Sequence, residues 1–256
     1  MLSESSLFVW KDKVLLITCG NTSLIDTALQ ILESVGVNHL KWFSYQRKSE
    51  LYAHLQTTRF EDDVKRLKQS MDGRAYRIGH LDGHHHYLFY SQPFSSEQRF
   101  SSLQMYHIKG VFADYLLSEH QQNSHIFTLL QLSSLVPKFT FDDCLFSPYG
   151  YSINGIYQDH YITVHITPQD PSSYVSVETS LTSADGLFDI FLSMINIFNP
   201  SSWDIVGFNE ELPANGIVCS VPLVKSNLVL NDKDNVYINQ YRQLACEQIA
   251  PVELLP

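Results

Sequence analysis

Residues 151–179 read YSINGIYQDHYITVHITPQDPSSYVSVET and indicate the architecture more clearly than any other part of the chain. Side chains of strand-forming type alternate with polar ones over residues 151–156, 161–167 and 174–179. Turn-forming residues separate these runs at residues 158–159 and 169–171. Because short turns join antiparallel neighbours, the stretch predicts three adjacent strands of an antiparallel sheet.

The rest of the chain extends this pattern and adds helices. Further strands are predicted at residues 7–10, 14–17, 40–45, 75–78, 87–90, 203–208, 217–221 and 237–241. Helical spacing occurs at residues 24–32, 61–70, 103–118 and 183–198. Ser23 with Asp26 resembles a capping box before the first helix, and Gly36 is expected to end it. Hairpins covered by helices predict an α+β layered architecture, with residues 1–256 forming one domain.

The two halves of the domain, about residues 1–140 and 141–256, show the same order of hairpin, helix and strands, which predicts an internal pseudo-duplication. The composition of 44% hydrophobic and 17% charged residues is that of an ordered globular protein. A net charge of −10 argues against a nucleic-acid partner. No apolar run approaches the ~20 residues of a membrane span. The N-terminus has no basic export signal, so a cytoplasmic location is expected.

Several frequent signatures of chemistry are absent from the sequence. There is no GxGxxG, no P-loop, no HExxH and no GxSxG. The four cysteines are widely spaced, without a CxxC pair. A cluster of histidines, His80 with residues 84–86, is interpreted as a solvated turn that leads into a strand. Consecutive strand residues face opposite ways, so at most two of residues 84–86 could share a metal, and no metal site is expected.

Two separated parts of the chain carry a more specific pattern. The first is LSESSLFV at residues 2–9, followed by TCG at residues 18–20. The second runs from FSPYGYSING at residues 146–155 through HITP at residues 165–168 to YVSVET at residues 174–179. In this order and spacing the motifs resemble those of the eukaryotic-type S-adenosylmethionine decarboxylases, a family of pyruvoyl enzymes.

The resemblance implies a four-layer αββα sandwich of two antiparallel sheets with helices on the outer faces. It also implies a proenzyme that cleaves itself between Glu4 and Ser5. The Ser5 hydroxyl attacks the Glu4 carbonyl to form an ester, a base removes the Cα proton of residue 5, and β-elimination releases a chain that ends at Glu4. Residue 5 then becomes a pyruvoyl group. In the family a substrate amine forms a Schiff base with this group, which takes up the electrons released with carbon dioxide, so no metal is needed.

The resemblance assigns roles to three further side chains. His165 is implied as the base that drives elimination, which suits a group whose pKa lies near neutrality. Ser152 is implied to hydrogen-bond the ester or its precursor. These two residues lie on neighbouring strands of the predicted hairpin, where cross-strand side chains can meet. Cys19 is implied to return a proton to the α-carbon of the substrate after decarboxylation.

The substrate pocket is implied by four residues. Phe146 is expected to stack on the adenine of S-adenosylmethionine, and Leu2 and Glu4 are expected to line the same pocket. Gln169 stands directly after HITP, where the family has a glutamate that holds the ribose hydroxyls. An amide accepts a hydrogen bond but lacks the carboxylate charge. Binding of the substrate is therefore expected to weaken by ~1–2 kcal/mol unless the substrate itself differs.

The buried charged network through which putrescine activates mammalian members is incomplete in this sequence. Glu178 is retained, but Ile17 stands where the family has a lysine, and Gln104 replaces another acidic position. A buried diamine needs a carboxylate near each ammonium group. Little or no activation by putrescine is expected.

The family also places a strand and a second adenine-stacking aromatic residue before the cleavage motif, where this chain has residues 1–4. That N-terminal strand is therefore expected to be missing, and cleavage is expected to free a four-residue peptide. By analogy with the family, processed protomers are expected to pair as a homodimer through sheet edges.

Three functional hypotheses follow from these observations. The first is S-adenosylmethionine decarboxylation, which supplies the aminopropyl donor for spermidine synthesis. The second is the same pyruvoyl chemistry on a free amino acid such as ornithine or arginine, favoured by Gln169 and opposed by Phe146. The third is an inactive regulatory partner subunit, opposed by the retained set of Ser5, Cys19, Ser152 and His165.

Overall fold

The structure of the protein is a computed structural model that describes residues 4–20, 22–50, 53–91, 98–169, 172–212 and 220–244. The first elements are β1 (Glu4–Val9), β2 (Val14–Cys19), α1 (Leu24–Val35), β3 (Phe43–Lys48), α2 (Phe60–Ser70), β4 (Arg74–Gly79) and β5 (His85–Ser91). The middle of the chain forms β6 (Phe100–Tyr106), α3 (Val111–Leu116), α4 (Asn123–Leu130), α5 (Leu132–Leu135) and β7 (Thr140–Leu145). The last elements are β8 (Tyr151–Tyr157), β9 (His160–Thr167), β10 (Tyr174–Thr179), α6 (Leu187–Phe198), β11 (Ser202–Phe208), β12 (Ser220–Val229) and β13 (Asn235–Gln243).

The strands form one large sheet, one small sheet and a separate hairpin. The large sheet has eight strands in the order β12-β13-β11-β6-β10-β9-β8-β7, the small sheet has the order β3-β5-β4, and β1 pairs with β2. Every pairing among these strands is antiparallel, which confirms the prediction from residues 151–179.

The two sheets and their helices make four layers, so the predicted αββα sandwich is confirmed. Helices α3 to α6 cover the outer face of the large sheet, where Val175, Val177 and Phe191 are almost fully buried. Helices α1 and α2 cover the outer face of the small sheet around Phe89. A third apolar cluster, which includes Leu88, joins the inner faces of the two sheets. The chain passes from one pair of layers to the other between β5 and β6, and the similarity of its two halves stays a prediction.

Part of the inner face of the large sheet is polar. Strand register aligns one residue from each of seven neighbouring strands, which we call the polar row: Gln240, Asp204, Gln104, Ser176, His165, Ser152 and Cys144. On the central strands β6, β10 and β9 the residues on either side of the polar row face the helices and are apolar. The two-residue period of the strands therefore separates an apolar outer core from a polar layer between the sheets.

One predicted helix is wrong. Residues 103–118 form strand β6 followed by the short helix α3. In β6 the side chains of Leu103 and Met105 are fully buried, whereas Gln104 between them faces the other way and is half-buried. Leu103 and Met105 pack under the helices, and on the opposite face Phe100 and Tyr106 pack toward the small sheet. Both faces of the strand are therefore covered, and its sequence shows no strong contrast of polarity.

The first helix agrees with the sequence except at its cap. Gly36, with φ of +81°, ends α1, and its N–H donates to the Leu32 carbonyl oxygen at 2.9 Å. The Ser23 hydroxyl donates to the Asp26 carboxylate and makes no capping bond to the helix, so the predicted capping box does not form there. Helices α1 and α6 have 12 residues each, and no helix in the described ranges is long and apolar enough to span a bilayer.

The hairpin of β1 and β2 is attached at its turn to the turn between β8 and β9. Trp10 Nε1 donates to the Gln158 carbonyl oxygen at 3.4 Å, and Lys13 Nζ donates to the Asp159 carbonyl oxygen at 3.0 Å. The rings of Phe8 and Tyr161 pack with centroids 5.2 Å apart. These contacts hold the hairpin against the large sheet at β9.

A buried ion pair joins the small sheet to α2. The Asp63 carboxylate is inaccessible to solvent; it accepts hydrogen bonds from Arg47 Nη1 at 2.6 Å and from the Tyr45 hydroxyl at 2.7 Å. The next residue back, Asp62, makes an exposed pair with Lys65 at 2.8 Å. The two neighbouring aspartates thus form one buried and one exposed ion pair on the same helix.

Removal of the buried partner should destabilise the fold strongly. We expect Asp63→Ala to lower the free energy of unfolding by about 3–5 kcal/mol, because Arg47 and Tyr45 lose a buried acceptor. Asp62→Ala is the matched control and should leave the urea unfolding midpoint close to that of the wild type. Equal midpoints for the two variants would contradict this account.

Candidate active site

His165 occupies the middle of the polar row. It is 1% exposed, and in register it lies directly opposite Ser152 on β8 and Ser176 on β10. This confirms the predicted placement of Ser152 and His165 on neighbouring strands. Three adjacent strands of the large sheet therefore present these polar side chains at one level, facing the space between the sheets.

Both nitrogens of the His165 ring are bonded to the β1–β2 hairpin. Nε2 lies 2.8 Å from the Ser6 Oγ on β1, and Nδ1 lies 3.1 Å from the Cys19 Sγ on β2. The imidazole therefore bridges the large sheet and the hairpin, with one partner on each strand of the hairpin.

Burial keeps the His165 ring neutral. Desolvation lowers the pKa of His165 to about 4, because the protonated ring loses its hydration in this position. A neutral imidazole has one N–H and one nitrogen lone pair. At neutral pH the ring is consequently able to accept a proton from a group that is held next to it.

The cleavage motif lies on β1. In register, Glu4 pairs with Cys19, Ser5 with Thr18 and Ser6 with Ile17. The side chain of Ser5 is exposed, whereas that of Ser6 is 3% exposed and contacts His165. The structure thus brings His165 together with Cys19 and Ser6, and leaves the Ser5 hydroxyl on the other face of the strand.

Sequence reasoning missed Ser6. The signal that could have found it is the pair of serines in LSESS, because in a strand one of two neighbours must face inward. The Glu4 backbone belongs to β1, and Leu2 lies outside the described residues. The predicted roles of Ser5, Glu4, Cys19 and Ser152 stay predictions.

Phe146 and Gln169 lie at the same end of the large sheet. Strands β7 and β9 both flank β8 and run in the same direction, and Leu145 and Ile166 share Tyr151 as register partner. Phe146 follows β7 and Gln169 follows β9, and both side chains are half-buried. These two predicted substrate contacts therefore lie near the level of His165, on either side of β8.

A buried charged cluster continues the polar row on the far side of β10. Asp204 accepts a hydrogen bond from the Tyr106 hydroxyl at 2.9 Å and lies 2.9 Å from His86 Nε2. Lys48 Nζ lies 3.5 Å from the centre of the Tyr106 ring and 5.2 Å from that of Tyr174. A cation from the small sheet thus faces the buried carboxylate of the large sheet.

The pKa values in this cluster follow from burial and pairing. Burial lowers the pKa of Lys48 to about 7, although the charge of Asp204 opposes the shift. Burial acts to raise the pKa of Asp204, but the hydrogen bond from His86 and the Lys48 charge bring it below its ordinary value. Burial alone raises the pKa of Glu178 to about 7.

The interpretation of residues 84–86 as a solvated turn is wrong for His85 and His86, whereas His84 precedes the strand and is exposed as predicted. His85 and His86 are each 8% exposed, and the His84 ring stacks on Tyr106 with centroids 4.1 Å apart. The reason is that β5 already begins at His85 as the central strand of the small sheet. Within the described ranges no group of three or more His, Cys, Asp or Glu side chains is arranged to hold a metal ion.

Comparisons with known proteins all identify one family. A protein-family model described as adenosylmethionine decarboxylase matches residues 1–244. An S-adenosylmethionine decarboxylase proenzyme from Leishmania donovani is 33% identical over 225 residues, which cover 81% of this chain and 59% of that protein. One from Xenopus laevis is 31% identical over 220 residues, which cover 78% of this chain and 64% of that protein. The chain thus spans about three-fifths of the length of these curated relatives.

A solved structure has the same fold. It is described as the crystal structure of the Trypanosoma brucei AdoMetDC-delta26 monomer, and it superposes with a TM-score of 0.72 at 21% sequence identity. The superposition covers 94% of this chain and 100% of that chain.

The buried neutral His165 makes stability depend on pH. Its pKa is about 4 when folded and ~6.5 when unfolded, so the unfolded chain binds more protons between these values, and stability falls as pH falls from ~6.5 to about 4. The loss should reach about 3 kcal/mol at most.

The measurement compares two chains, Ser5→Ala and Ser5→Ala/His165→Gln, by urea unfolding at several pH values. The difference between their free energies of unfolding cancels the contributions of Lys48 and Glu178, which also titrate. This difference in free energy should shrink as pH falls from ~6.5 to about 4. His120→Gln, at an exposed histidine, should leave the free energy of unfolding unchanged. A difference that stays constant with pH would show that His165 does not titrate in this way.

Proposed function

The chain belongs to the adenosylmethionine decarboxylase family, and on that premise we propose that it is a self-processing, pyruvoyl-dependent decarboxylase of S-adenosylmethionine. The product, decarboxylated S-adenosylmethionine, is the aminopropyl donor of spermidine and spermine synthesis. The observation that carries the proposal is the buried neutral His165, bonded to the strand that contains the motif LSESS.

The residues around His165 fit formation of a pyruvoyl group from Ser5. Ser6, the partner of Nε2, is the next residue in the chain, so the ring lies within one residue of the Cα whose proton must be removed. When present, the pyruvoyl group supplies an electron-accepting ketone that no amino-acid side chain offers. Burial protects the lone pair of His165 from protonation and from bulk water.

The other residues take the roles that the family pattern assigns to them. Ser152, opposite His165, hydrogen-bonds the ester between residues 4 and 5. Cys19, bonded to Nδ1, is positioned to exchange a proton with His165 and to return one to the α-carbon of the substrate. Phe146 and Gln169, at one end of the sheet, contact the adenosyl part, together with Leu2 and Glu4.

A second candidate is decarboxylation of a free amino acid, ornithine or arginine, by the same chemistry. Gln169 favours it, because an amide holds the ribose hydroxyls less strongly than the glutamate of the family pattern. The half-buried Phe146 at the same end of the sheet favours the adenosyl substrate. A cytoplasmic location and a homodimer of processed protomers remain parts of the proposal.

Cleavage is tested by intact-mass measurement of the purified protein. We expect the wild-type chain to lose residues 1–4 and to carry a pyruvoyl group in place of Ser5, and Ser5→Ala to stay whole because it lacks the attacking hydroxyl. Ser34→Ala, at an exposed serine on α1, is the control and should be cleaved normally. A wild-type chain that stays whole, or a Ser5→Ala chain that is cleaved, would contradict the mechanism.

Release of carbon dioxide from carboxyl-labelled S-adenosylmethionine, ornithine and arginine then identifies the substrate. Release from the first alone supports the proposal, and release from either amino acid supports the second candidate. A cleaved chain inactive on all three would favour a regulatory partner subunit.

We also propose that putrescine has little effect on activity. Lys48 already places a cation opposite Asp204 in the space between the sheets. Gln104 stands between Asp204 and Ser176 in the polar row, and its Oε1 lies 3.1 Å from the Tyr106 hydroxyl oxygen. A diamine would therefore meet the Lys48 amine, which is protonated below a pKa of about 7. Glu178 is the acidic group of this layer, within the described part of the chain, that is left to pair with a diamine, and its pKa of about 7 leaves it only partly ionised at neutral pH.

The putrescine proposal is tested by assay of carbon dioxide release over a range of putrescine concentrations. We expect the rate to stay constant within about two-fold, since a buried second ammonium group without a carboxylate partner is unfavourable. A several-fold rise would overturn it. Spermidine, which carries one more cationic group, serves as a control for a general effect of polyamines.

A further inference from the structure

Ser6 makes the shortest described contact to the His165 ring. We propose that Ser6 is a positioning residue for self-cleavage: its hydroxyl donates to Nε2 of His165 and holds the ring, in one tautomer, beside the bond between residues 4 and 5. This inference rests on the proposed function, because it assigns a task to Ser6 in the reaction of Ser5. The positioning of the His165 ring is not among the roles proposed above for Ser5, Ser152 or Cys19.

The direction of the hydrogen bond follows from the burial of Ser6. A buried hydroxyl that does not donate leaves a polar hydrogen unsatisfied, at a cost in stability. Ser6 is 3% exposed, and Nε2 is the acceptor that the described contacts give it. The hydroxyl hydrogen therefore points to Nε2, which must carry the lone pair of the neutral ring.

The other ring nitrogen then carries the proton. Nδ1–H points to the Cys19 Sγ at 3.1 Å, and sulfur is a weak acceptor. The two contacts cooperate, since each fixes the same tautomer and the same orientation of the ring. Ser6 lies on β1 and Cys19 on β2, so the two strands of one hairpin contact the ring at its two nitrogens.

This arrangement aims the basic nitrogen at the cleavage segment. The lone pair of Nε2 faces β1 at Ser6, one residue from the Cα of Ser5. A ring in the other tautomer would present an N–H there and could not accept the Cα proton. The contacts of Trp10 and Lys13 with the β8–β9 turn keep β1 at this distance from β9.

The two serines of the motif therefore have different tasks. Because neighbouring residues of a strand face opposite ways, Ser5 and Ser6 cannot both contact His165 in this register. Ser5 carries the reacting hydroxyl, and Ser6 holds the base.

The first test observes the tautomer directly and needs no activity. Nitrogen-15 spectra of labelled histidine are recorded on the Ser5→Ala chain, with His165 assigned from the Ser5→Ala/His165→Gln spectrum. We expect a single tautomer protonated at Nδ1. In Ser5→Ala/Ser6→Ala the two tautomers should mix, and the ring should titrate at higher pH because the neutral form has lost a hydrogen bond.

Ser5→Ala/Ser6→Thr should restore the single tautomer, since threonine keeps a hydroxyl in a strand-compatible side chain. Ser5→Ala/Ser176→Ala is the matched control. Ser176 is also buried and also faces His165 in register, but its hydroxyl is hydrogen-bonded to Tyr174. An unchanged tautomer in Ser5→Ala/Ser6→Ala, verified as folded by its unfolding transition, would overturn the proposal.

The second test measures the rate of cleavage in chains that retain Ser5. We expect Ser6→Ala to slow cleavage by ~10- to 100-fold and to shift the acid limb of its pH profile upward, Ser6→Thr to restore both, and Ser176→Ala to match the wild type. Cleavage before residue 6 in the wild type would overturn the proposal, because Ser6 would then be the reacting serine. Cleavage of Ser5→Ala before residue 5 would refute the proposed function, while the tautomer measurement would still decide the role of Ser6.

Discussion

The antiparallel register of β8, β9 and β10 is the constraint on which the geometry of the site depends. It places Ser152, His165 and Ser176 side by side and turns all three toward the space between the sheets. A shift of one residue in β9 would turn His165 into the apolar core under the helices and bring Val164 or Ile166 to the site. The apolar contacts of those two residues with the outer helices therefore hold the imidazole in position.

The polar layer between the sheets is stable because its groups bond one another. Asp204 is bonded by His86 and Tyr106, and Lys48 lies over the rings of Tyr106 and Tyr174. Burial of any one of these groups alone would cost free energy of desolvation, and its interactions with the other groups offset that cost. The layer also links the two sheets, since Lys48 and His86 come from the small sheet and the others from the large one. Charge and hydrogen bonding here supplement an apolar contact that covers only part of the interface.

Most of the fold and part of the site could be predicted from the sequence. Alternation and turn residues located β8, β9 and β10, and the pairing of neighbours in a hairpin placed Ser152 opposite His165. Strand β6 was missed because apolar side chains pack on both of its faces, so its residues carry little contrast of polarity. The contact of Ser6 with His165 joins residues 159 positions apart, and no local pattern encodes it. The same holds for His86, whose partner Asp204 comes from another sheet.

The position of Glu4 at the first place of β1 has a mechanical consequence for the proposed cleavage. Of the six register pairs between β1 and β2, only the one between Glu4 and Cys19 lies before the bond that the proposed cleavage breaks. The new chain end remains paired at Thr18, and the aromatic contacts of Phe8 stay in place. Cleavage at this bond would therefore create its new chain end inside a hairpin that is already paired, one residue from the side chain that contacts His165, so the new end would need no change of strand register to lie beside the imidazole.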